Sequence, residues 1–161
     1  QVVYENPSPG NKAGGITTLE EKSLGCIHKG GHTPVMAVYD YAKQVEPKSG
    51  MVIMDTPGND PSSVAAMVAG GAQVVVFSTG RGTPTGNPIT PVIKITGNRL
   101  TFAKMEDNID VDASPIIYGG DLKTMGDELL KLVAEVASGR QTKAEALGFT
   151  EMAIARVCNF V

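Results

Sequence analysis

The sequence predicts an α/β domain in which a mostly parallel sheet is flanked by helices, a variant of the Rossmann-like architecture. Two observations support this class. Short apolar runs end in turn residues, and segments with a helical apolar period lie between and after them. Short apolar runs of this kind are typical of buried parallel strands. The chain has 161 residues and a hydrophobic fraction of 42%, which is enough for one domain with its own core.

Three segments are predicted to be strands: residues 51–54 (MVIM), 73–77 (QVVVF) and 92–95 (VIKI). Between the first two lies an apolar helical segment at 62–69. Asp60 is predicted to cap this helix, and Pro61 is predicted at its first helical position. Strand, helix and strand in this order predict a βαβ unit, in which both strands run parallel.

Three further helices are predicted. The longest covers residues 122–138, where apolar side chains recur every three or four positions and form one stripe. Asp121 would cap its start, and Gly139 would stop it. A second helix is predicted at 18–29, with Thr18 and Glu21 spaced as a capping box, and a third near 98–106.

Charge and composition exclude several classes of protein. The net charge of −3 gives no basic footprint for a nucleic acid, and no apolar run approaches the ~20 residues that span a bilayer. The two cysteines, Cys26 and Cys158, lie far apart, so they predict neither a disulfide framework nor a paired metal site. Together these observations favour a cytoplasmic protein without nucleic-acid or membrane partners.

A glycine-rich loop follows the second predicted strand, where ligands bind in open parallel sheets. Glycines at 80, 82 and 86 allow close approach of backbone N–H groups to an anion. Thr79 and Thr83 add hydroxyls, and Arg81 suits a carboxylate. The alternative is a glycine-rich turn with a solvated Arg81. The loop is not a phosphate-binding P-loop, because no Gly-Lys-Ser/Thr follows.

Several motifs occur in order along nearly the whole chain. They are NPSPGNKAGGITTLEEKSLGCIHKGG at 6–31, MDTPGNDP, FSTGRGTP, PVIKITGN, DNIDVD and EVASGR. Together they resemble the altronate and galactarate dehydratase family, which also includes sulfolactate sulfo-lyase. The match is to the C-terminal portion of these proteins, and the chain begins with Gln1 rather than Met. We therefore expect residues 1–161 to be a single C-terminal domain of a longer chain.

The resemblance implies β-elimination of water from a sugar acid such as altronate or galactarate. It also implies a divalent metal, Fe²⁺ in particular, because the negative charge that builds up on the substrate needs an electrophile. Lys22 and Glu21 are the predicted catalytic residues, with Glu21 and Asp110 as metal ligands. The predicted substrate-binding residues share polar side chains or loop amides: Asn6, Asn11, Lys12, Thr56, Thr79, Gly80, Arg81 and Thr83.

Alternatives remain open for these roles. Glu21 could be a plain helix-capping acid favoured by the helix dipole, and Asp107 and Asp112 could lie in a solvated turn. His28 and His32 are unsuited to zinc, because a Gly-Gly pair between them breaks the helical spacing. The domain could instead be a substrate-binding or assembly half, with the metal ligands on the N-terminal remainder. Sulfite, rather than water, could be the leaving group. Expected partners are the acid substrate, that remainder, and further copies of the chain through an exposed apolar face.

Overall fold

The computed structural model describes residues 6–46 and 50–153. Helices and short strands alternate along these residues, as the α/β prediction requires. In chain order the elements are α1 (Pro9–Ala13), α2 (Leu19–Lys29), β1 (Val35–Tyr39), β2 (Met51–Met54), α3 (Asp60–Ala69), β3 (Val75–Ser78), β4 (Val92–Thr96), α4 (Arg99–Lys104), β5 (Val111–Asp112), a 3-10 helix (Ser114–Tyr118), α5 (Leu122–Ala137) and α6 (Lys143–Ala146). No helix among the described residues is long and apolar enough to cross a bilayer.

The strands form two small sheets, and every pairing in the described chain is parallel. One sheet pairs β1 with β2, and the other has the order β3-β4-β5. This confirms the α/β class with parallel strands and flanking helices. The predicted βαβ unit is not formed within one sheet, because β2 pairs with β1 rather than with β3. Sequence patterns missed β1, and an apolar run does not specify which strand will lie beside it.

Helix α3 packs against the three-stranded sheet and forms the centre of the core. Val64 of α3, Val75 of β3 and Val92 of β4 make one buried cluster. The helix starts one residue earlier than predicted, because Asn59 is the cap: its Oδ1 accepts a hydrogen bond from the Ser62 amide at 3.3 Å. The prediction of Asp60 as the cap was therefore wrong. Asn and Asp serve this role about equally well, so residue type alone did not separate them.

Helix α5 confirms the prediction for residues 122–138 to within one residue. The Asp121 carboxylate accepts hydrogen bonds from the amides of Lys123 and Thr124, and the bonds from Thr124 hold the pKa of Asp121 below its usual value. Gly139 follows the helix with a φ of 106°, a conformation that favours glycine. The apolar stripe is only partly covered, since Val136 is buried while Leu122 is 69% exposed.

The side chain of Asp110 joins two elements that are distant in sequence. Its Oδ2 accepts a hydrogen bond from the backbone amide of Lys94 in β4 at 2.7 Å. Its Oδ1 accepts one from the amide of Lys143, the first residue of α6, at 2.9 Å. Asp112 lies in β5, and its Oδ1 accepts a hydrogen bond from the Ser114 amide. The solvated turn considered for Asp112 is therefore wrong, whereas Asp107 is exposed.

The two-stranded sheet leaves apolar side chains uncovered on one face. Met36 is 59% exposed, Val38 70% and Ile53 42%. Val38 lies opposite Ile53 in the parallel register, so their side chains point to the same side. Met36 lies at an irregularity in β1, where the pairing register shifts between Val35 and Ala37. Parallel sheets are normally covered on both faces, which makes this surface unusual.

Replacing Asp110 tests its role in holding β4 to α6. Asp110→Ala leaves the amides of Lys94 and Lys143 without their acceptor, and an unsatisfied buried donor costs ~1–3 kcal/mol. We expect the free energy of unfolding to fall by about 2–4 kcal/mol in chemical denaturation. Asp107→Ala is the matched control and should change it by less than about 0.5 kcal/mol. Equal stability of the two variants would contradict this role.

Candidate functional site

The candidate site is built around residues 79–87, which follow β3 and are called here the Arg81 loop. Its first half is fixed by side chains. The Thr79 hydroxyl accepts a hydrogen bond from the Gly82 amide at 3.0 Å, and the Thr101 hydroxyl donates to the Gly80 carbonyl at 2.8 Å. Gly82 has a φ of 88°, and a Cβ there would overlap the Met105 sulfur. The loop therefore has a defined conformation that presents Arg81.

Arg81 lies against the N-terminal segment of the chain. A Cβ on Gly10 would sit 3.0 Å from Cδ of Arg81 and would overlap its guanidinium group. The backbone of α1 thus forms the surface over which the exposed Arg81 side chain extends. Glycine at position 10 is what allows this close approach.

Lys22 contacts the same N-terminal segment as Arg81. It lies in the second turn of α2, which starts at Leu19 with Thr18 as its cap. Its Nζ donates a hydrogen bond to Oδ1 of Asn6 at 2.8 Å. Residues 6–13 therefore connect Lys22 to Arg81, and three of the predicted site residues, Asn6, Lys22 and Arg81, are joined through this one segment.

Among the described residues, the cations of this group have no carboxylate partners. Within the described residues the ion pairs all lie on or beside α5, and none involves Lys12, Lys22 or Arg81. Lys12 is exposed on α1, next to the residues that Arg81 and Lys22 contact. Three unpaired cations on one segment and its neighbours suit a ligand with negative charge.

Glu21 is held by the residues just before α2. Its Oε2 accepts hydrogen bonds from the Thr17 amide at 2.8 Å and from the Thr17 hydroxyl at 2.6 Å. These bonds lower the pKa of Glu21, so the carboxylate stays ionised and is a weak base. The predicted capping box is formed only in part: Thr18 accepts from the Glu21 amide, but Glu21 reaches back to Thr17 rather than to Thr18.

The remaining predicted substrate-binding residues make bonds within the protein. Asn11 caps α1 together with Ser8, and the Thr56 hydroxyl pairs with that of Ser63 at 2.9 Å. Thr83 is 6% exposed, and its hydroxyl pairs with that of Thr85 at 2.7 Å. Thr83 thus supports the Arg81 loop from inside. In the described chain no hydrogen bond links Thr56 to the group around Arg81.

The two predicted metal ligands differ in what they can still bind. Both oxygens of Asp110 accept backbone amides, whereas Oε1 of Glu21 has no hydrogen-bond partner among the described residues. The described residues contain no group of three or more His, Cys, Asp or Glu side chains placed to hold a metal ion. They therefore do not form a complete cation site, and Glu21 is the better-placed single ligand. His28 and His32 do not share a helix, because α2 ends at Lys29.

Sequence reasoning missed one residue beside this site, the fully buried Lys94. Its side chain lies under the Arg81 loop, and its Nζ donates a hydrogen bond to the Pro84 carbonyl at 3.0 Å. A signal was present in the sequence, since Lys94 is the only charged residue of the run VIKI. A lysine is almost never fully buried without a partner, so its position inside a predicted strand pointed to a specific contact.

Comparison with known proteins identifies the family. The family described as D-galactarate/altronate dehydratase, C-terminal, matches residues 1–159. The chain belongs to this family. An altronate dehydratase of Escherichia coli is 44% identical over 154 residues, which are 96% of this chain and 31% of that protein.

Two further relatives show the range of activities in the family. The (2R)-sulfolactate sulfo-lyase subunit beta of Chromohalobacter salexigens is 40% identical over 94% of this chain and 39% of its own length. The galactarate dehydratase (L-threo-forming) of Escherichia coli is 36% identical over 84% of this chain and 26% of its own length. The chain thus spans well under half the length of these curated relatives.

Proposed function

We propose that this domain forms part of a hydro-lyase that removes water from a sugar acid such as altronate or galactarate. The observation that carries the proposal is the group of unpaired cations, Lys12, Lys22 and Arg81, around one segment in a chain related to dehydratases of such acids. In this reaction a proton leaves the carbon next to the carboxylate, and hydroxide leaves the following carbon. The resulting enol then becomes a keto acid.

In this proposal Arg81 binds the substrate carboxylate. Its side chain is exposed at the tip of a fixed loop and is directed along α1. A guanidinium group matches a carboxylate with two parallel hydrogen bonds. Thr79 and Gly80 contribute by shaping the loop, since their hydroxyl and carbonyl groups are engaged within the protein.

In this proposal Lys22 transfers a proton, and Glu21 is a metal ligand. The lowered pKa of Glu21 favours an ionised ligand over a general base. A divalent cation, Fe²⁺ in the proposal, would stabilise the negative charge that develops on the substrate carboxylate. Glu21 would supply one ligand through its free oxygen. The other ligands would come from the part of a longer chain that the relatives contain and this sequence does not, in a cytoplasmic enzyme.

A sulfo-lyase activity is the second candidate. It is favoured by the 40% identity to a (2R)-sulfolactate sulfo-lyase subunit. The same cations would bind its substrate, and sulfite would leave in place of hydroxide. Assays of the full chain with altronate, galactarate and (2R)-sulfolactate separate the two. Keto-acid formation from either sugar acid supports the main proposal, and sulfite release supports the second. If neither product forms, the chain has a non-catalytic role.

The role of Arg81 is tested by two substitutions in the full chain. Arg81→Lys loses the bidentate geometry, and we expect a rise in KM equivalent to about 2–3 kcal/mol, or roughly 30- to 150-fold. Gly10→Ala should also raise KM, because its methyl group displaces the Arg81 side chain. Gly14→Ala is the control, since a Cβ there meets only ordinary contacts, the nearest at 3.4 Å. An unchanged KM in Arg81→Lys would return Arg81 to the solvated surface.

The role of Glu21 is tested by metal content and turnover. Glu21→Gln should lower metal occupancy and kcat together, because an amide is a much weaker ligand than a carboxylate. Loss of a cap at an exposed position costs at most ~1–2 kcal/mol, so the variant should remain folded. The matched control is Glu20→Gln on the same exposed turn, which should keep both metal and activity. Lys22→Met in parallel should lower kcat while metal content stays constant. Full metal occupancy in Glu21→Gln would exclude Glu21 as a ligand.

We also propose that the exposed face formed by Val38 and Ile53 packs against the remaining part of the longer chain. The relatives supply a large remainder, because this chain covers only 31% of the altronate dehydratases. The full chain is also proposed to form a homo-oligomer. The covering partner is therefore expected to be apolar and to belong to the same polypeptide.

A charged substitution on this face identifies its occupant. In the full chain, Val38→Glu should lower the melting temperature, because it buries an unpaired charge in the interface. Ile89→Glu is the control, since Ile89 is similarly exposed at 71% but lies between the Arg81 loop and β4, outside the two-stranded sheet. A melting temperature unchanged by Val38→Glu would leave the face in solvent. Dissociation of an oligomer by Val38→Glu in sedimentation would assign the face to a second copy instead.

A further inference from the structure

Lys94 is a charged residue in the middle of the three-stranded sheet. It lies in the central strand β4, opposite Phe77 of β3, and its exposed fraction is 0%. Burial lowers the pKa of Lys94, while the charge of Asp110 acts in the opposite direction. Withdrawing an ammonium group from water is costly unless polar contacts replace the lost hydration.

The Lys94 ammonium group contacts the Arg81 loop and the segment after α6. Its Nζ donates to the Pro84 carbonyl at 3.0 Å and lies 5.9 Å from the centre of the Phe149 ring, within the range of a cation–π contact. Among the described residues no carboxylate lies within ion-pair distance of it. The direct hydrogen bond of this buried cation is therefore made to the loop alone.

The Arg81 loop is consequently held at two places. Thr79 and Thr101 fix its start through the Gly82 amide and the Gly80 carbonyl. Lys94 fixes its second half through Pro84, next to Gly86, whose backbone is packed against the Phe149 carbonyl. Arg81 lies between Gly80 and Gly82, within the first anchor, and Pro84 of the second anchor is three positions further along the loop. A displacement of Pro84 would therefore reach Arg81 through the short segment that joins them.

The energetics separate a role in stability from a role in positioning. Replacing a buried ion pair by apolar side chains of similar volume is often neutral or stabilising, because the desolvation cost disappears. At Lys94, relief of the desolvation cost likewise opposes the loss of the hydrogen bond to the Pro84 carbonyl. Lys94 is thus a poor means of stabilising the sheet. It is a good means of fixing one carbonyl, because a charge-assisted hydrogen bond is stronger than a neutral one.

We propose that Lys94 is a positioning residue, which clamps the Pro84 carbonyl and thereby holds Arg81 in its ligand-binding direction. The inference rests on the proposed carboxylate-binding function of Arg81. It assigns Lys94 no contact with substrate and no part in proton transfer. Its effect should therefore be seen in substrate affinity rather than in turnover.

The test compares Lys94→Met with Arg81→Lys in the full chain, assayed with altronate and galactarate. Lys94→Met keeps the side-chain length but removes the charge and the donor. We expect KM to rise about tenfold, the size of one lost charge-assisted bond, with kcat nearly unchanged and an equal or higher melting temperature. Lys104→Met, at an exposed lysine of α4, is the control and should change none of these values.

A double variant shows whether Lys94 acts through Arg81. If it does, Arg81→Lys combined with Lys94→Met should have the KM of Arg81→Lys alone, because residues acting in one chain of contacts are not additive. Independent, multiplying effects would overturn the inference. If Lys94→Met does not fold, Lys94→Gln, a shorter uncharged side chain, serves in the same comparison.

The other outcomes each have a definite meaning. A lower melting temperature with unchanged KM would make Lys94 purely structural, and a lower kcat with unchanged KM would make it a participant in the chemistry. Both results overturn the positioning role. A raised KM in Arg81→Lys but not in Lys94→Met refutes this inference alone. An unchanged KM in both variants refutes the proposed function of Arg81 and the positioning role with it.

Discussion

The carboxylate of Asp110 is the interaction on which the arrangement around β4 depends. It accepts the amide of Lys94 on one oxygen and the amide of Lys143 on the other, so it fixes the central strand of the sheet to the start of α6. The segment after α6 carries Phe149, which packs against the second half of the Arg81 loop. A carboxylate with both oxygens committed to backbone amides is a structural connector. This explains why the acidic motif DNIDVD organises the fold without forming a cation site in the described residues.

The candidate site combines a rigid part with a weakly anchored part. The Arg81 loop is fixed by its own residue Thr79 and by the side chains of Lys94 in β4 and Thr101 in α4, and both of these elements contribute buried residues. Lys12 and Lys22, in contrast, lie on α1 and α2, and within the described chain neither of these helices buries any of its residues. The two parts meet where Arg81 lies against Gly10. Binding groups on loops that a rigid scaffold positions are a common arrangement in enzymes.

Local patterns predicted the elements better than they predicted how the elements pair. The apolar stripe, the cap at Asp121 and the glycine at 139 placed α5 to within one residue, because helix periodicity and capping are local properties. Strand β1 was missed although VMAVY is apolar and β-branched in part. The assignment of β2 to a sheet with β1 rather than β3 was also missed. Strand pairing depends on contacts between distant segments, and an apolar run contains little information about its neighbour.

For the candidate site, the sequence showed that Asn6 and Lys22 belong to one motif. It did not show that their side chains form a hydrogen bond. Lys94 was overlooked because a single charge in an apolar strand was read as part of the strand.

In the described structure α1 and α2 contain no buried residues, so a bound ligand could contribute to their stability. These helices are held by caps and by polar contacts such as that between Lys22 and Asn6, which water competes for. An anion that binds both Lys22 and Arg81 would connect α2 to the Arg81 loop. It would stabilise the position of a helix that buries none of its own residues. Any ligand that binds only the folded arrangement stabilises it through mass action. Helices α1 and α2 would then be most stable when such an anion is bound, and the anion would act as a structural component of its own binding site.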